Sequence, residues 1–343
     1  MRSVIAAAGL AIAACSQPPS DTDPADMGEI NIYSARHYDS DRILYDAFEA
    51  ETGITVRFRE AGAAQLLETM KAEGAASPAD VVIAADAGTL WRFQDAGLLQ
   101  PVQSDALDAA IPAQLREADG HWFGLAKRVR VIAYDPERLA PEQVDDYLDL
   151  ADPGLAGEVC MRSSSNVYNL SLLGDMIERV GAEAAEAWAG AVAENFARDP
   201  EGGDTAQIES VAAGACSATI VNHYYWVRLA ADGSNAQKAA AEKVSLSFPG
   251  SEAGGTHVNV TGAGVAANAP NRDAAIRFLE FLATPDGQTM LTTETKEFPI
   301  VAGATPPAGL DLLPTFEEAT TQIGAYGENQ VEAQAIYDRV GWN

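Results

Sequence analysis

The stretch Ala218-Thr219-Ile220-Val221-Asn222-His223-Tyr224-Tyr225-Trp226 decides the reading of this chain. Ala218 to Val221 is a short, continuous run rich in β-branched residues and reads as a buried strand. Two adjacent tyrosines follow directly. Neighbours on a strand point to opposite faces. Both phenols reach one point only if the strand has already ended at Asn222-His223. Two more tyrosines occupy equivalent places: Tyr38 after the strand expected over Glu29–Ser34, and Tyr168 after a strand expected over Glu158–Arg162.

Working outward, strands and helices alternate from residue 29 onward. Glu29–Ser34, Thr55–Arg59 and Asp80–Ala84 read as strands. Between and after them, Asp39–Glu51, Ala63–Glu73 and Thr89–Ala96 carry helical spacing, closed by Gly53, Gly74 and Gly97. Such βαβαβα order predicts a doubly wound α/β layer. Ala126–Tyr134 is a long β-prone run with Lys127, Arg128 and Arg130 embedded in it, and fits a strand that passes from one lobe to another. A second series comes next: Glu158–Arg162, a helix after Tyr168, a helix through Trp188, Thr205–Ala213, Ala218–Asn222 and Val244–Pro249. Val258–Ala267 is a return strand. Helices are expected over Arg272–Leu282, Thr315–Ile323 and Val331–Val340.

The predicted fold class is therefore α/β with two lobes, each a mixed sheet flanked by helices, joined by two hinge strands. Lobe 1 is expected over 29–127 plus 255–302, and lobe 2 over 128–254 plus 303–343. Ligands of open α/β sheets bind beyond the carboxyl ends of strands. In a clamshell that edge faces the cleft. Tyr38 then comes from one lobe, and Tyr168, Tyr224 and Tyr225 from the other.

Composition narrows the function. The 343 residues are 47% hydrophobic, enough for a large core, and the formal net charge of −28 argues against nucleic acid as a partner. There is no HExxH, GxSxG, Walker-type loop or CxxC, and only four histidines, so an enzyme is not expected. His223, His121 and His257 are not expected to ligate a metal, the last two for want of nearby donors. Arg2 precedes an apolar run, Val4–Ala14, which is too short for a membrane span. Ile12-Ala13-Ala14-Cys15 resembles a bacterial lipobox, with residues 1–15 as signal and lipid on Cys15; the alternative is a plain secretory signal. Residues 16–28 read as a flexible tether. Cys160 and Cys216 both begin expected strands. In an oxidising compartment they form a disulfide if those strands are neighbours, or else remain buried thiols.

Phenolate oxygen is a hard, anionic donor, suited to a hard, highly charged cation such as Fe3+. The alternative on the same fold is a small oxyanion or carboxylate held by Arg128, Arg228 and a helix start at Ser163–Ser165.

Several segments together resemble the periplasmic ferric-iron-binding proteins of ABC importers. They are Ile32-Tyr33-Ser34-Ala35-Arg36-His37-Tyr38, Arg162-Ser163-Ser164-Ser165-Asn166-Val167-Tyr168-Asn169, Gly202-Gly203-Asp204-Thr205 leading to Asn222-His223-Tyr224-Tyr225, and Glu297-Phe298-Pro299-Ile300-Val301. The likeness covers about the whole mature chain and is greatest to the subclass with a histidine beside the first tyrosine. It departs in its strong acidity and its lipobox. The resemblance implies Tyr38, Tyr168, Tyr224 and Tyr225 as iron ligands, His37 as a fifth, and Arg128 and Arg228 packed behind them. It implies Fe3+ as cargo, with Fe2+ possible, no organic cofactor, a permease with its ATPase as partner, a monomer, and a periplasmic, membrane-anchored location.

Overall fold

The computed structural model describes residues 28–36, 38, 40–250 and 254–343. Cys15, the 1–15 signal, His37 and all of the 16–28 tether except Gly28 lie outside the described residues.

The first half runs β1 (Glu29–Ser34), α1 (Asp41–Thr52), β2 (Thr55–Glu60), α2 (Ala63–Glu73), β3 (Val81–Ala84), α3 (Ala87–Asp95), β4 (Leu99–Gln100), α4 (Asp105–Ala110) and β5 (Phe123–Tyr134). Then come α5 (Val167–Val180), α6 (Ala182–Glu194), α7 (Asp204–Ala212), β6 (Ala218–Asn222), α8 (His223–Asp232), α9 (Asn235–Glu242) and β7 (Ser245–Ser247). The chain returns through β8 (Val258–Ala266), α10 (Arg272–Leu282), α11 (Pro285–Thr293), β9 (Phe298–Pro299), α12 (Ala325–Glu328) and α13 (Gln330–Val340).

Two sheets share one strand. In the first, β1 pairs in parallel with β2 and β3, and β8 pairs antiparallel with β3, β4 and β5. In the second, β5 pairs antiparallel with β6 and β7. The change of partner falls inside β5: Phe123–Val129 faces β8, and Arg130–Tyr134 faces β6. The return chain meets the same junction, where the Arg130 amide donates to the His257 carbonyl at 3.0 Å. There are two apolar cores, the larger one centred on the first sheet and continuing onto the second through Val131, Ile208 and Val221. Ile30, Ile32, Phe48, Val82 and Phe278 lie in one; Ile132, Tyr147, Trp188, Ile220 and Trp342 lie in the other. All ten side chains are buried, and removing such large apolar surfaces from water is what holds each half together.

Three expectations are corrected. Glu158–Arg162 is not a strand: Val159 alone makes parallel bridges, to Phe196 and Ala218, before the chain turns away to bring Arg162 to Asp204. Cys216 precedes its strand, which starts at Ala218. Thr315–Ile323 is not helical. Its backbone is claimed by β-type pairing with Thr256, whose amide donates to the Glu317 carbonyl and whose own carbonyl accepts from the Ala319 amide. A partner distant in sequence outweighs the helical spacing there. Cys160 and Cys216 are joined as a disulfide with Cα atoms 5.8 Å apart, inside the usual range for that bond.

Candidate metal centre

The tyrosines arrive on loop and helix starts that come after β1, the Val159 bridge and β6. Tyr38 lies just beyond β1, where its carbonyl accepts from the Asp41 amide and opens α1. Tyr168 is the second residue of α5. Asn166 caps that helix, its side-chain oxygen accepting from the Tyr168 amide at 3.0 Å. Pairing of β6 with β5 ends at Asn222, and α8 begins at once with His223. On a helix, consecutive residues are about 100° apart rather than opposed. Tyr224 and Tyr225 therefore stand side by side, with ring centroids 4.5 Å apart.

The phenols converge. Tyr224 Oη donates to Tyr168 Oη at 3.3 Å, and the Asn222 side-chain amide donates to Tyr224 Oη at 3.2 Å. The Arg228 guanidinium lies 5.3 Å from the Tyr38 ring centre, 4.8 Å from Tyr224 and 5.7 Å from Tyr225. Arg228, Tyr224 and Tyr225 share one helix, whereas Tyr38 comes from the other sheet. Burial, together with the neighbouring phenols, pushes the pKa of Tyr168 and Tyr224 above that of an ordinary phenol. Arg128 acts against that rise in both. A second negative oxygen there is costly unless a cation is present.

Positive charge surrounds the phenols. Arg128, Arg130 and Arg162 lie 5.1, 5.9 and 5.3 Å from the Tyr168 ring centre, and Arg36 lies 5.0 Å from that of Tyr38. Most of these cations are tied to carboxylates. Arg128 bonds Glu297 and the Ala85 carbonyl and lies 3.6 Å from Asp86. Arg130 and Arg162 share the fully buried Asp204 at 2.9 and 2.6 Å, and that carboxylate also accepts from the Asn222 backbone amide at 2.7 Å. Arg36 pairs with Asp41 at 3.1 Å. Arg228 makes no ion pair with a carboxylate among the described residues, and its Nη2 donates to the Thr295 carbonyl at 2.8 Å. Burial works against its charge. The Tyr38 phenol, with Tyr224 and Tyr225, outweighs that, so its pKa stands above the usual arginine value.

Arg128 thus lies over the ring of Tyr168, and Arg228 over those of Tyr38, Tyr224 and Tyr225. Sequence reasoning assigns no role to Arg36, Arg130, Arg162 and Asp204. The available signal is that Arg36, Arg162 and Asp204 sit in the same segments as the tyrosines. Ser163 and Ser165 turn toward each other, their hydroxyls 3.0 Å apart, and α5 is capped by Asn166 instead. Arg128 is likewise engaged by Glu297 and Thr261. The oxyanion alternative is therefore not favoured.

The remaining histidines have partners. His223 is fully buried; its Nδ1 accepts from the Val129 amide at 3.3 Å, so Nε2 carries the proton and donates to the Lys296 carbonyl at 3.0 Å. His257 Nδ1 lies 2.7 Å from Asp175, and His121 Nδ1 3.0 Å from Glu117. The expectation that these two lack nearby donors is corrected.

Two sheets joined through the one shared strand β5, with tyrosines drawn from both sides, make the architecture of a two-lobed binding protein. The chain belongs to the bacterial extracellular solute-binding proteins, a family that matches residues 44–318. Iron uptake protein A1 of Synechocystis sp. (strain ATCC 27184 / PCC 6803 / Kazusa) is 44% identical over 335 residues, covering 96% of this chain and 93% of that protein. The Fe(3+)-binding periplasmic protein of Serratia marcescens is 30% identical over 283 residues, 82% of this chain and 81% of the relative. A Trichodesmium structure in complex with iron and citrate ligands superposes with a TM-score of 0.88 at 45% identity, covering 92% of this chain and 100% of that one. The fold is accordingly the two-lobed, type II periplasmic-binding-protein clamshell, with each lobe a mixed sheet flanked by helices.

Proposed function

We propose that this protein captures Fe3+ in the cleft between its lobes and delivers it to an ABC permease for uptake. The ligands are Tyr38, Tyr168, Tyr224 and Tyr225, each through its phenolate oxygen. His37, next to Tyr38 in the sequence, is a fifth donor. The observation that carries this reading is the 3.3 Å approach of Tyr168 Oη to Tyr224 Oη, with Tyr225 and Tyr38 gathered around the same Arg228. Oxygens about 2.0–2.2 Å from a small hard cation and at right angles to each other lie about 3 Å apart. That is close to the spacing already present.

The chemistry rests on charge. A bound trivalent cation drives the protons from buried phenols that would otherwise keep them. Four phenolates and Fe3+ leave one net negative charge, which the guanidinium of Arg228 offsets. Arginine holds its charge when buried, whereas lysine readily loses it. Capture on the α5 and α8 tyrosines, followed by recruitment of Tyr38, gives tighter binding in the closed shell than in the open one, which is what drives closure. A relative named as an Fe(3+)-binding periplasmic protein, beside another named for ferric iron binding, supports a periplasmic location and a permease partner. The lipobox at Cys15 supports a lipid anchor, and the exchange of partners within β5 supports a domain division close to residues 127/128.

Purified protein loaded with ferric ion is expected to show a strong visible phenolate-to-iron band. A colourless protein that takes up no ferric ion overturns this reading. Loading with ferrous ion under anaerobic conditions tests whether the reduced ion also enters.

A further inference from the structure

One dipeptide grips the tyrosine-bearing helix α8 at its start, middle and end. The Lys296 carbonyl accepts from His223 Nε2 at the first residue of α8. The Thr295 carbonyl accepts from Arg228, one turn past Tyr224, at 2.8 Å. The Lys296 ammonium meets Asp232, the last residue of α8, at 3.0 Å. Thr295 and Lys296 stand just past the end of α11 and before β9, which pairs with β5 in the first sheet. The dipeptide thus holds a helix of the second sheet from an element of the first.

This grip depends on an uncommon backbone. Lys296 has φ 58°, the only positive φ at a non-glycine among the described residues. Its amide donates to the Thr292 carbonyl four residues back at 2.8 Å, closing α11 with a left-handed cap. Glycine is usual at that position, because any Cβ crowds the following carbonyl there. A side chain kept at such a place generally has work to do. Here the Lys296 side chain is 8% exposed and reaches the far end of α8, while the left-handed turn points two successive carbonyls at the same helix. On the other side of the turn, Phe298 stacks on the His223 ring at 4.4 Å.

We propose that Lys296 is a positioning residue for metal capture, its left-handed turn and its ammonium together fixing the rotation of α8 and so the direction of the Tyr224 and Tyr225 phenols. It touches no cargo. The cargo assignment rests on the iron reading; the bracing of α8 does not.

Three variants separate the parts. Lys296→Ile places a β-branched residue where φ is positive and is expected to disrupt the turn. Lys296→Gly keeps the turn and removes the ammonium. Asp232→Asn removes only the ion pair. Each is compared with the parent by hydrogen exchange of residues 223–232 in the metal-free protein, and by iron release to a chelator together with the position of the ferric band. Lys296→Ile is expected to speed exchange across α8, shift the band and release iron several-fold faster, because β-branching adds to the crowding that the lysine Cβ already meets at a positive φ. Lys296→Gly is expected to restore the band position, with exchange raised only near Asp232, as in Asp232→Asn. Parent-like exchange of α8 in Lys296→Ile overturns the proposal. So does parent-like exchange in both Lys296→Gly and Asp232→Asn, which decides the matter if the isoleucine variant does not fold. A parent that shows no ferric band overturns the iron reading, and the exchange data still decide the brace.

Discussion

Tyr224 Oη donates a hydrogen bond to Tyr168 Oη across 3.3 Å, although the two residues start different helices and lie 56 positions apart. The contact holds one proton between buried Tyr224 and half-buried Tyr168, and both phenols have their pKa raised, first by desolvation. Tyr224→Phe and Tyr225→Phe each remove one of the anionic donors of the proposed site. Loss of a residue that merely orients a ligand costs about 10–100-fold in metal affinity. Loss of a donor itself should exceed that, with the visible band lost or strongly displaced, as checked by titration against a competing ferric chelator.

Ferric binding as proposed must expel protons held by Tyr168 and Tyr224. The protonated, metal-free state is favoured by acid, so affinity falls as pH falls, by about tenfold per pH unit for each proton released. Chelator competition between about pH 6 and about pH 8, with proton release followed in a weakly buffered solution, checks both sign and stoichiometry.

His223 sets a separate pH dependence, that of the fold. Burial lowers its pKa from 6.5 to about 3, although the Lys296 carbonyl favours the charged ring. The folded pKa is depressed, so the unfolded chain binds the proton first as pH falls. The contribution of His223 is complete above about pH 6.5 and is lost progressively down to about pH 3. His257, also lowered by burial, adds to the slope over its own range below 6.5. Chemical denaturation of the metal-free protein should show stability dropping across this window. His223→Gln should flatten part of the drop, leaving the His257 share.

The Cys160–Cys216 bridge closes a loop with a sequence separation of 56. A crosslink of that span constrains the unfolded chain by about 4 kcal/mol in the chain-entropy account. The double variant Cys160→Ser, Cys216→Ser should lower the denaturant midpoint accordingly, and reduction of the parent should reproduce the loss.

Arg228→Gln keeps some hydrogen bonding but removes the charge near Tyr38, Tyr224 and Tyr225. Ferric affinity should fall by about 10–100-fold, the range for groups that tune a metal from behind its ligands. Arg228→Lys should recover part of it, since a lysine keeps a cation but not the planar fork.

Much of this is legible in the chain. Strand-then-tyrosine order places Tyr38, Tyr224 and Tyr225, because in an α/β layer the residues just past a buried strand are placed by local pattern; Tyr168 instead follows the single bridge at Val159. The long run Ala126–Tyr134 reveals the crossing strand because no turn residue interrupts it. The misses have one cause. Val159 reads as part of a strand, and Thr315–Ile323 as a helix, because local composition cannot show which distant backbone claims the hydrogen bonds; Thr256 decides the second case. Asp204 stays hidden for a related reason. A carboxylate that ties Arg130, Arg162 and the Asn222 amide together draws on residues up to 74 positions away. No spacing rule shows such a knot.

The strand β5 belongs to both sheets, and its hand-over at Val129–Arg130 is flanked by Arg128 and Arg130, two of the three guanidiniums that face the Tyr168 ring. Any movement of one half against the other must wring the backbone at that point. A twist that carried Arg128, tied to Glu297 on the first sheet's side, away from the Tyr168 ring would also take positive charge from that phenol. Unclasping the shell and weakening its hold on the cargo are then a single mechanical act, so a transporter that pries the halves apart has no need of a separate trigger to make the metal leave.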